Sequence, residues 1–210
     1  FLCASQSAIT LSADPAGGQW YIDDIASSDQ FDPGAVGLGD HDVKYVVSNG
    51  ACSDSDLVTI SVNDAPDVVI DPIVSSCDNQ EIETLNATPE GGQWYVNNVL
   101  SSNQFNPAAL GANTYNVKYV FSNGSGCSDS DSVSVTINVA PTVDLGPSTF
   151  FCTGDSVSLD AGPGYSDYDW STGGSSQVIF VSSPGPVTLV VTDPNGCTGT
   201  DQVQVSANPL

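Results

Sequence analysis

The chain has no arginine, no methionine, one histidine (His41) and only two lysines, Lys44 and Lys118. Against them stand 25 acids, which leaves a net charge of −23 over 210 residues. Binding nucleic acid requires a basic face, and so does docking on an anionic membrane; both are excluded. No apolar run approaches the ~18–20 residues of a membrane-spanning helix. No Cys-x-x-Cys pair occurs, which argues against a structural zinc site. A 3.6-residue apolar period is missing throughout, so long amphipathic helices are not expected. Glutamate is nearly absent too: 22 of the acids are Asp and three are Glu. Asp favours turns where Glu favours helices, and the balance fits a loop-rich β protein.

What is present is repetition. Gly17-Gly18-Gln19-Trp20-Tyr21 returns as Gly91-Gly92-Gln93-Trp94-Tyr95. Gln30-Phe31-Asp32-Pro33 returns as Gln104-Phe105-Asn106-Pro107, and Val43-Lys44-Tyr45-Val46 as Val117-Lys118-Tyr119-Val120. The offset is 74 residues, becoming 75 after one insertion before Cys127, and a diverged third copy centres on Trp170. A fixed period of this kind marks a tandem array. Repeat one covers residues 1–66, repeat two 67–141 and repeat three 142–210. The joints Asp64-Ala65-Pro66 and Val139-Ala140-Pro141 are short and prolyl, hence semi-rigid, and Pro209 holds the equivalent place in repeat three.

Within each repeat, short alternating runs such as Ile9-Leu11-Ala13 and Val43-Tyr45-Val47 read as half-buried strands. Each repeat carries two cysteines and a tryptophan, with the Trp 17 or 18 residues after the first Cys. Cys, Trp, Cys among many short strands is the signature of an immunoglobulin-like sandwich. Trp20, Trp94 and Trp170 are the expected core residues. The expected architecture is all-β: three tandem Ig-like sandwiches in an extended rod. An even cysteine count with recurring spacing implies disulfides in an oxidising compartment. The repeat favours one bond inside each unit, Cys3–Cys52, Cys77–Cys127 and Cys152–Cys197, stapling one end of each sandwich, although six cysteines permit other pairings.

The Gly-Gly-Gln-Trp-Tyr, Gln-Phe-Asp/Asn-Pro, Val-Lys-Tyr-Val and Cys-Ser-Asp series resembles the Ig-like repeats of large secreted surface proteins of gliding, Bacteroidetes-type bacteria. Those proteins are often exported by a type IX system. Repeat three, with Cys152-Thr153-Gly154-Asp155-Ser156-Val157 and Asn195-Gly196-Cys197-Thr198-Gly199, is similar to the PKD-like repeats that accompany them. The resemblance implies β-sandwich modules of adhesins, stalks and filaments, at the cell surface or secreted.

Comparing repeats sorts the candidate sites. His41 aligns with Tyr115, so a strand-end ring is expected rather than a catalytic base. Asp23-Asp24 aligns with Asn97-Asn98 and reads as a polar turn. With no Arg and no thiol expected to be free, an enzyme is not expected. Asp54 and Asp56 remain acidic as Asp129 and Asp131, an Asp-x-Asp pair able to supply some of the six to eight oxygens calcium takes, or a solvated turn. Asn86-Ala87-Thr88 and Asn123-Gly124-Ser125 fit the N-glycan acceptor pattern. Ser132 and Ser156 lie in Asp-Ser-apolar triplets that resemble the O-glycosylation motif of the same bacterial group.

Repeat one lacks the opening strand that repeats two and three carry before Cys77 and Cys152. The sequence also opens without a leader. Both fit a processed or partial chain cut from a longer array; the alternative is an edge covered by a neighbouring subunit. The expected function is the subunit or shaft of a surface filament or adhesin, assembling head to tail with copies of itself. The alternative is a carbohydrate-binding or calcium-dependent module, for which Tyr165 and Tyr168 are the candidate aromatic platform, the other reading being that both are core.

Overall fold

The computed structural model describes residues 1–209; Leu210, the expected end of repeat three, lies outside the described residues. The protein is all-β, with strands throughout and, among the described residues, only two four-residue helices, Pro33–Val36 and Pro107–Leu110. These helices occupy the Phe-Asp/Asn-Pro bends. Proline sits in the first helical turn, and Asp32 or Asn106 caps it by accepting the N–H of Gly34 or Ala109, the usual start of a helix. A glycine with positive φ, Gly37 or Gly111, ends each one after a single turn.

Two compact units emerge, and they do not coincide with the repeats. The first comprises residues 1–71, 86–102 and 118–132; the second comprises 72–85, 103–117 and 133–210. Repeat two therefore contributes to both.

In the first unit, repeat one forms a five-stranded sheet. Its order is Ile25–Ser27, Gln19–Ile22, Gly39–Ser48, Ser53–Asn63 and Leu2–Cys3, with the last pair parallel. Facing it is the two-stranded pair Ile9–Thr10 and Gln30–Phe31. Phe31, Val43 and Val62 form the buried centre, with Ile9, Leu11, Trp20, Ile22 and Ile60 packed around it. Asp23 and Asp24 have φ of 49° and 62°, and Asn97 and Asn98 match them at 48° and 64°. Asp and Asn tolerate this left-handed region, which a two-residue hairpin requires. The two pairs are turn residues, as the repeat comparison expects.

In the second unit, repeat three packs the sheet Thr149–Cys152, Thr198–Asn208, Gly185–Thr192 and Asp167–Trp170 against the pair Val157–Asp160 and Val178–Val181. Between them lies a continuous core that includes Trp170, Leu159, Val187, Leu189, Val203 and Val205. Two facing sheets, a buried Trp on the strand at one edge and a first strand that pairs in parallel with the last at the other define an Ig-like sandwich. Trp94 and Trp170 are buried, whereas Trp20 is only half-buried.

Candidate assembly site

The repeated motifs turn out to be structural pins. In repeat two the Tyr119 hydroxyl accepts the Gly92 N–H at 2.5 Å and donates to Pro89 O at 2.7 Å. In repeat one Tyr45 does the same with Gly18 and Pro15, at 2.6 and 2.9 Å. A Cβ on Gly92 would collide with the Val120 carbonyl and the Tyr119 ring, and one on Gly18 with Val46 and Tyr45. Each tyrosine also stacks, tilted, on the tryptophan of its motif, with ring centroids 4.6 and 4.7 Å apart. Gly-Gly-Gln-Trp-Tyr and Val-Lys-Tyr-Val are thus two halves of one lock between a loop and the neighbouring strand.

His41 lies where Tyr115 lies. Its Nε2 is 3.1 Å from Gly37 O, and Tyr115 donates to Leu110 O at 2.6 Å, with Gly111 O 3.2 Å away. His41 also bonds Asp23 through Nδ1 at 2.7 Å, while the other Asp23 oxygen accepts the Asp42 N–H. Both ring nitrogens are engaged in holding the strand end. The Asp23 carboxylate raises the His41 pKa above its ordinary value, against the opposing effect of burial.

The cysteines do not pair as expected. Cys3 bonds Cys127 and Cys77 bonds Cys197, while Cys52 and Cys152 are free and exposed. The pairings Cys3–Cys52, Cys77–Cys127 and Cys152–Cys197 are all overturned, and so is the end staple inside each sandwich. The reason is strand length. Cys3 stands beside Asn63, the last residue of the eleven-residue strand Ser53–Asn63, and Cys52 directly precedes its first. Eleven residues of strand span roughly 35 Å, whereas a disulfide requires Cα atoms ~4.4–6.8 Å apart. Repeat three repeats this layout, with Cys152 beside Asn208 and Cys197 just before Thr198. The first cysteine of each bonded repeat therefore reaches the second cysteine of the repeat that follows. Each bond lies within one compact unit, Cys3–Cys127 in the first and Cys77–Cys197 in the second.

Polar contacts accompany each bond. In the first unit the Asn123 amide nitrogen donates to Asp64 O at 2.9 Å, and its oxygen accepts the N–H groups of Ser125 and Cys127. Asn123, a glycan candidate by motif, thus spends its amide on the joint. In the second unit the Asn79 amide donates to Thr198 O, and the backbone of Pro141 presses against Gly199.

The Asp-x-Asp pair has a structural task. Asp129 accepts the N–H of Val68 at 3.3 Å and Asp131 that of Ile70 at 3.0 Å. In repeat three Asp201 accepts the N–H of Leu145 at 2.7 Å. These carboxylates fasten the opening segment of their own repeat, which buries Val68 and Ile70 and pairs Val69–Ile70 with Ala87–Thr88. Among the described residues no three His, Cys, Asp or Glu side chains converge to hold a metal.

Repeat one carries the same pair of carboxylates. Among the described residues, Asp54 and Asp56 accept only the N–H groups of Ser55 and Leu57, the residues that follow them. Asp14, Pro15, Tyr45, Val47, Asp54 and Asp56 line an open depression. Leu11, Trp20 and Tyr45 are half-buried where Leu85, Trp94 and Tyr119 are buried.

The remaining candidates are simple to place. Tyr165 donates to Thr142 O, Tyr168 donates to Gly162 O, and both pack on the core of repeat three, so they do not form an open aromatic platform. Asn86, Ser132 and Ser156 are exposed. No helix among the described residues is long and apolar enough to cross a membrane.

No family model matches the chain. No curated protein matches it either. Solved structures give broad, low-similarity overlaps. One is the SGBP-B protein of the Bacteroides ovatus mixed-linkage glucan utilization locus, in complex with a mixed-linkage heptasaccharide: 13% identity, TM-score 0.27, 99% of this chain and 65% of that one. Another is the Ca2+-stabilised adhesin that helps an Antarctic bacterium reach out and bind ice: 13% identity, TM-score 0.33, 99% and 70%. A third is the eight-Ig-domain N-terminal part of Down syndrome cell adhesion molecule: 12% identity, TM-score 0.29, 94% and 37%. The chain thus spans 65% of the length of the first and 37% of the third. The Ig-like assignment rests on the strand order described above.

Proposed function

We propose that the chain is a structural module of a secreted or cell-surface protein, a segment of the shaft of an adhesin or filament that assembles head to tail with further copies. The observation that carries this reading is the disulfide that joins each repeat to the next. A bond inside a sandwich would stabilise that sandwich alone. A bond from one repeat to the following one resists their separation under tension, which is what a load-bearing spacer needs. Disulfides persist in oxidising compartments, consistent with export. A charge of −23 keeps such an array soluble and opposes indiscriminate association. His41 is spent on the backbone and a carboxylate, which favours a non-catalytic role. Calcium and surface glycans stay secondary to this reading as partners.

Electron microscopy of the native protein tests it. Fibres or stalks with an axial period set by this chain are the expected result. Globular particles carrying these repeats at a sugar-binding or catalytic head would replace it with the alternative, an adhesive module attached to a larger protein.

A further inference from the structure

Repeats one and two cut short a strand that repeat three lets run on. Three backbone bonds align the position: Leu11 N–H to Asp29 O at 2.7 Å, Leu85 N–H to Asn103 O at 2.7 Å and Ala161 N–H to Gln177 O at 3.0 Å. Gln30, Gln104 and Val178 come next, then Phe31, Phe105 and Ile179, all three buried. In the first two repeats Asp32-Pro33 and Asn106-Pro107 follow, and the strand gives way to a one-turn helix after two residues. Proline and so short a strand leave little edge for another chain to pair with. In repeat three the same places hold Phe180 and Val181, and the strand continues through Val178–Val181.

Val178–Val181 pairs antiparallel with Val157–Asp160, and its other side meets no strand among the described residues. The bond between Ala161 and Gln177 sets the phase. Hydrogen-bonded pairs alternate along an antiparallel ladder, so Leu159 with Ile179 and Val157 with Val181 are the bonded pairs. The N–H and C=O groups of Val178 and Phe180 therefore point to the open side. Their side chains face solvent, 40% and 75% exposed. An apolar edge without proline or charge is a template for an added strand. The charge around it is all of one sign. Repeat three has seven Asp and no Lys or Arg, and residues 170–192 carry no charge at all. Asp160 stands directly across from Val178. Its Oδ1 accepts the Gln177 amide and the Gly162 N–H, both at 2.9 Å, and its other oxygen has no partner among the described residues. The Gln177 amide, then the Gly162 N–H, hold its pKa below the ordinary value.

We propose that the open edge of Val178–Val181 takes up a basic, extended segment of a partner protein as an added strand. The segment bonds the backbone groups of Val178 and Phe180. A Lys or Arg beside Val178 reaches over it to Asp160, roughly two strand spacings (~10 Å) away. An apolar residue two positions further on covers Phe180. Charge selects this occupant over a second copy. Another copy brings a further −23 and a repeat three with no basic residue, and like charges facing each other across an interface oppose docking. Binding at this edge is independent of how copies of the chain join one another.

The palindromic peptide acetyl-Thr-Lys-Thr-Val-Thr-Lys-Thr-amide tests this, because it presents Lys, Val and Lys on one face whichever way it runs. Binding to the full chain is followed by amide shifts in nuclear magnetic resonance at ~0.15 M salt, which screens long-range attraction. The expected result is saturable shifts centred on residues 177–182. An added strand turns only every second N–H to the edge. N-methylation of one alternate set of peptide residues should therefore weaken binding about tenfold or more, and N-methylation of the other set should leave it intact. Asp160→Asn and Phe180→Ser, both at exposed positions, should each weaken it about threefold, while Asp24→Asn in repeat one changes nothing. Equal effects of the two methylated sets, shifts spread over the acidic surface, or no binding overturn the proposal. A dimer of the chain alone in light scattering, abolished by Phe180→Ser, makes a second copy the occupant and overturns it as well.

Discussion

Asp131 accepts the backbone N–H of Ile70 at 3.0 Å, joining the last long strand of repeat two to its opening segment across 61 positions of sequence. Asp56 holds the corresponding place in repeat one, and its carboxylate bonds only the N–H of Leu57, the next residue. One residue type at one repeat position is thus a fastener in one repeat and an empty hook in the other.

That asymmetry gives a paired mutational prediction. Asp131→Ala removes a charged acceptor from a backbone donor and should cost about 1.5–3 kcal/mol. Asp56→Ala should stay within about 0.5 kcal/mol, as for a surface change that breaks nothing. Urea denaturation of both variants checks this, and equal losses would show that these carboxylates have no role in holding the opening segment.

The cysteines give a second contrast. Cys77→Ser with Cys197→Ser should lower stability by about 2–5 kcal/mol, because a bond closing a loop of this length restricts the unfolded chain strongly. Cys52→Ser and Cys152→Ser should change it by less than about 0.5 kcal/mol. Denaturant midpoints report the stabilities. Non-reducing peptide maps should contain the Cys3–Cys127 and Cys77–Cys197 fragments and lack Cys3 joined to Cys52.

The glycine–tyrosine lock should be intolerant. Tyr119→Phe removes the hydroxyl that serves Gly92 N–H and Pro89 O, and should cost about 1–3 kcal/mol. Gly92→Ala forces a methyl into the Val120 carbonyl and should cost as much or more. Thermal melts of the two variants measure this. In repeat one Tyr45→Phe removes the equivalent bonds, so a loss there of similar size would show that the lock works without the opening segment.

Stability should depend on pH through His41 and Asp23. The Asp23 carboxylate raises the pKa of His41 above its ordinary value near 6.5. The stabilisation tied to the charged ring is therefore complete below about 6.5 and is lost as pH rises through the higher folded value. The His41 ring, followed by the Asp42 N–H, lowers the pKa of Asp23 below 3.8. Its contribution is complete above that value and is lost as pH falls through the lower folded one. The pair should stabilise repeat one most between about pH 4 and 6.5. Melting temperatures of the unaltered chain and of His41→Tyr across this range test it, because the variant should lose the decline on the alkaline side.

The sandwich architecture was legible because it depends on local alternation, turn chemistry and repetition. Asp23-Asp24 and Asn97-Asn98 reveal their turns by their composition, and the alignment of His41 with Tyr115 already indicates a ring that caps a strand end. Tyr165 and Tyr168 read equally as an aromatic platform or as core, since alternation alone does not say which face of a loop turns inward, and they pack on the core. The disulfide pairing was not legible, because only strand pairing places Cys3 beside Asn63, the length of an eleven-residue strand away from Cys52.

By itself, the sequence determined the repeats, the all-β character and the acidic composition, all properties that one residue and its near neighbours carry. The tertiary structure decided which cysteines are partners, what Asp129 and Asp131 hold, and which thiols are left over. A disulfide or a cross-strand hydrogen bond exists only where two distant atoms are brought within a few ångströms. That distance is set by strand lengths and register summed over the whole sandwich, not by any stretch read alone.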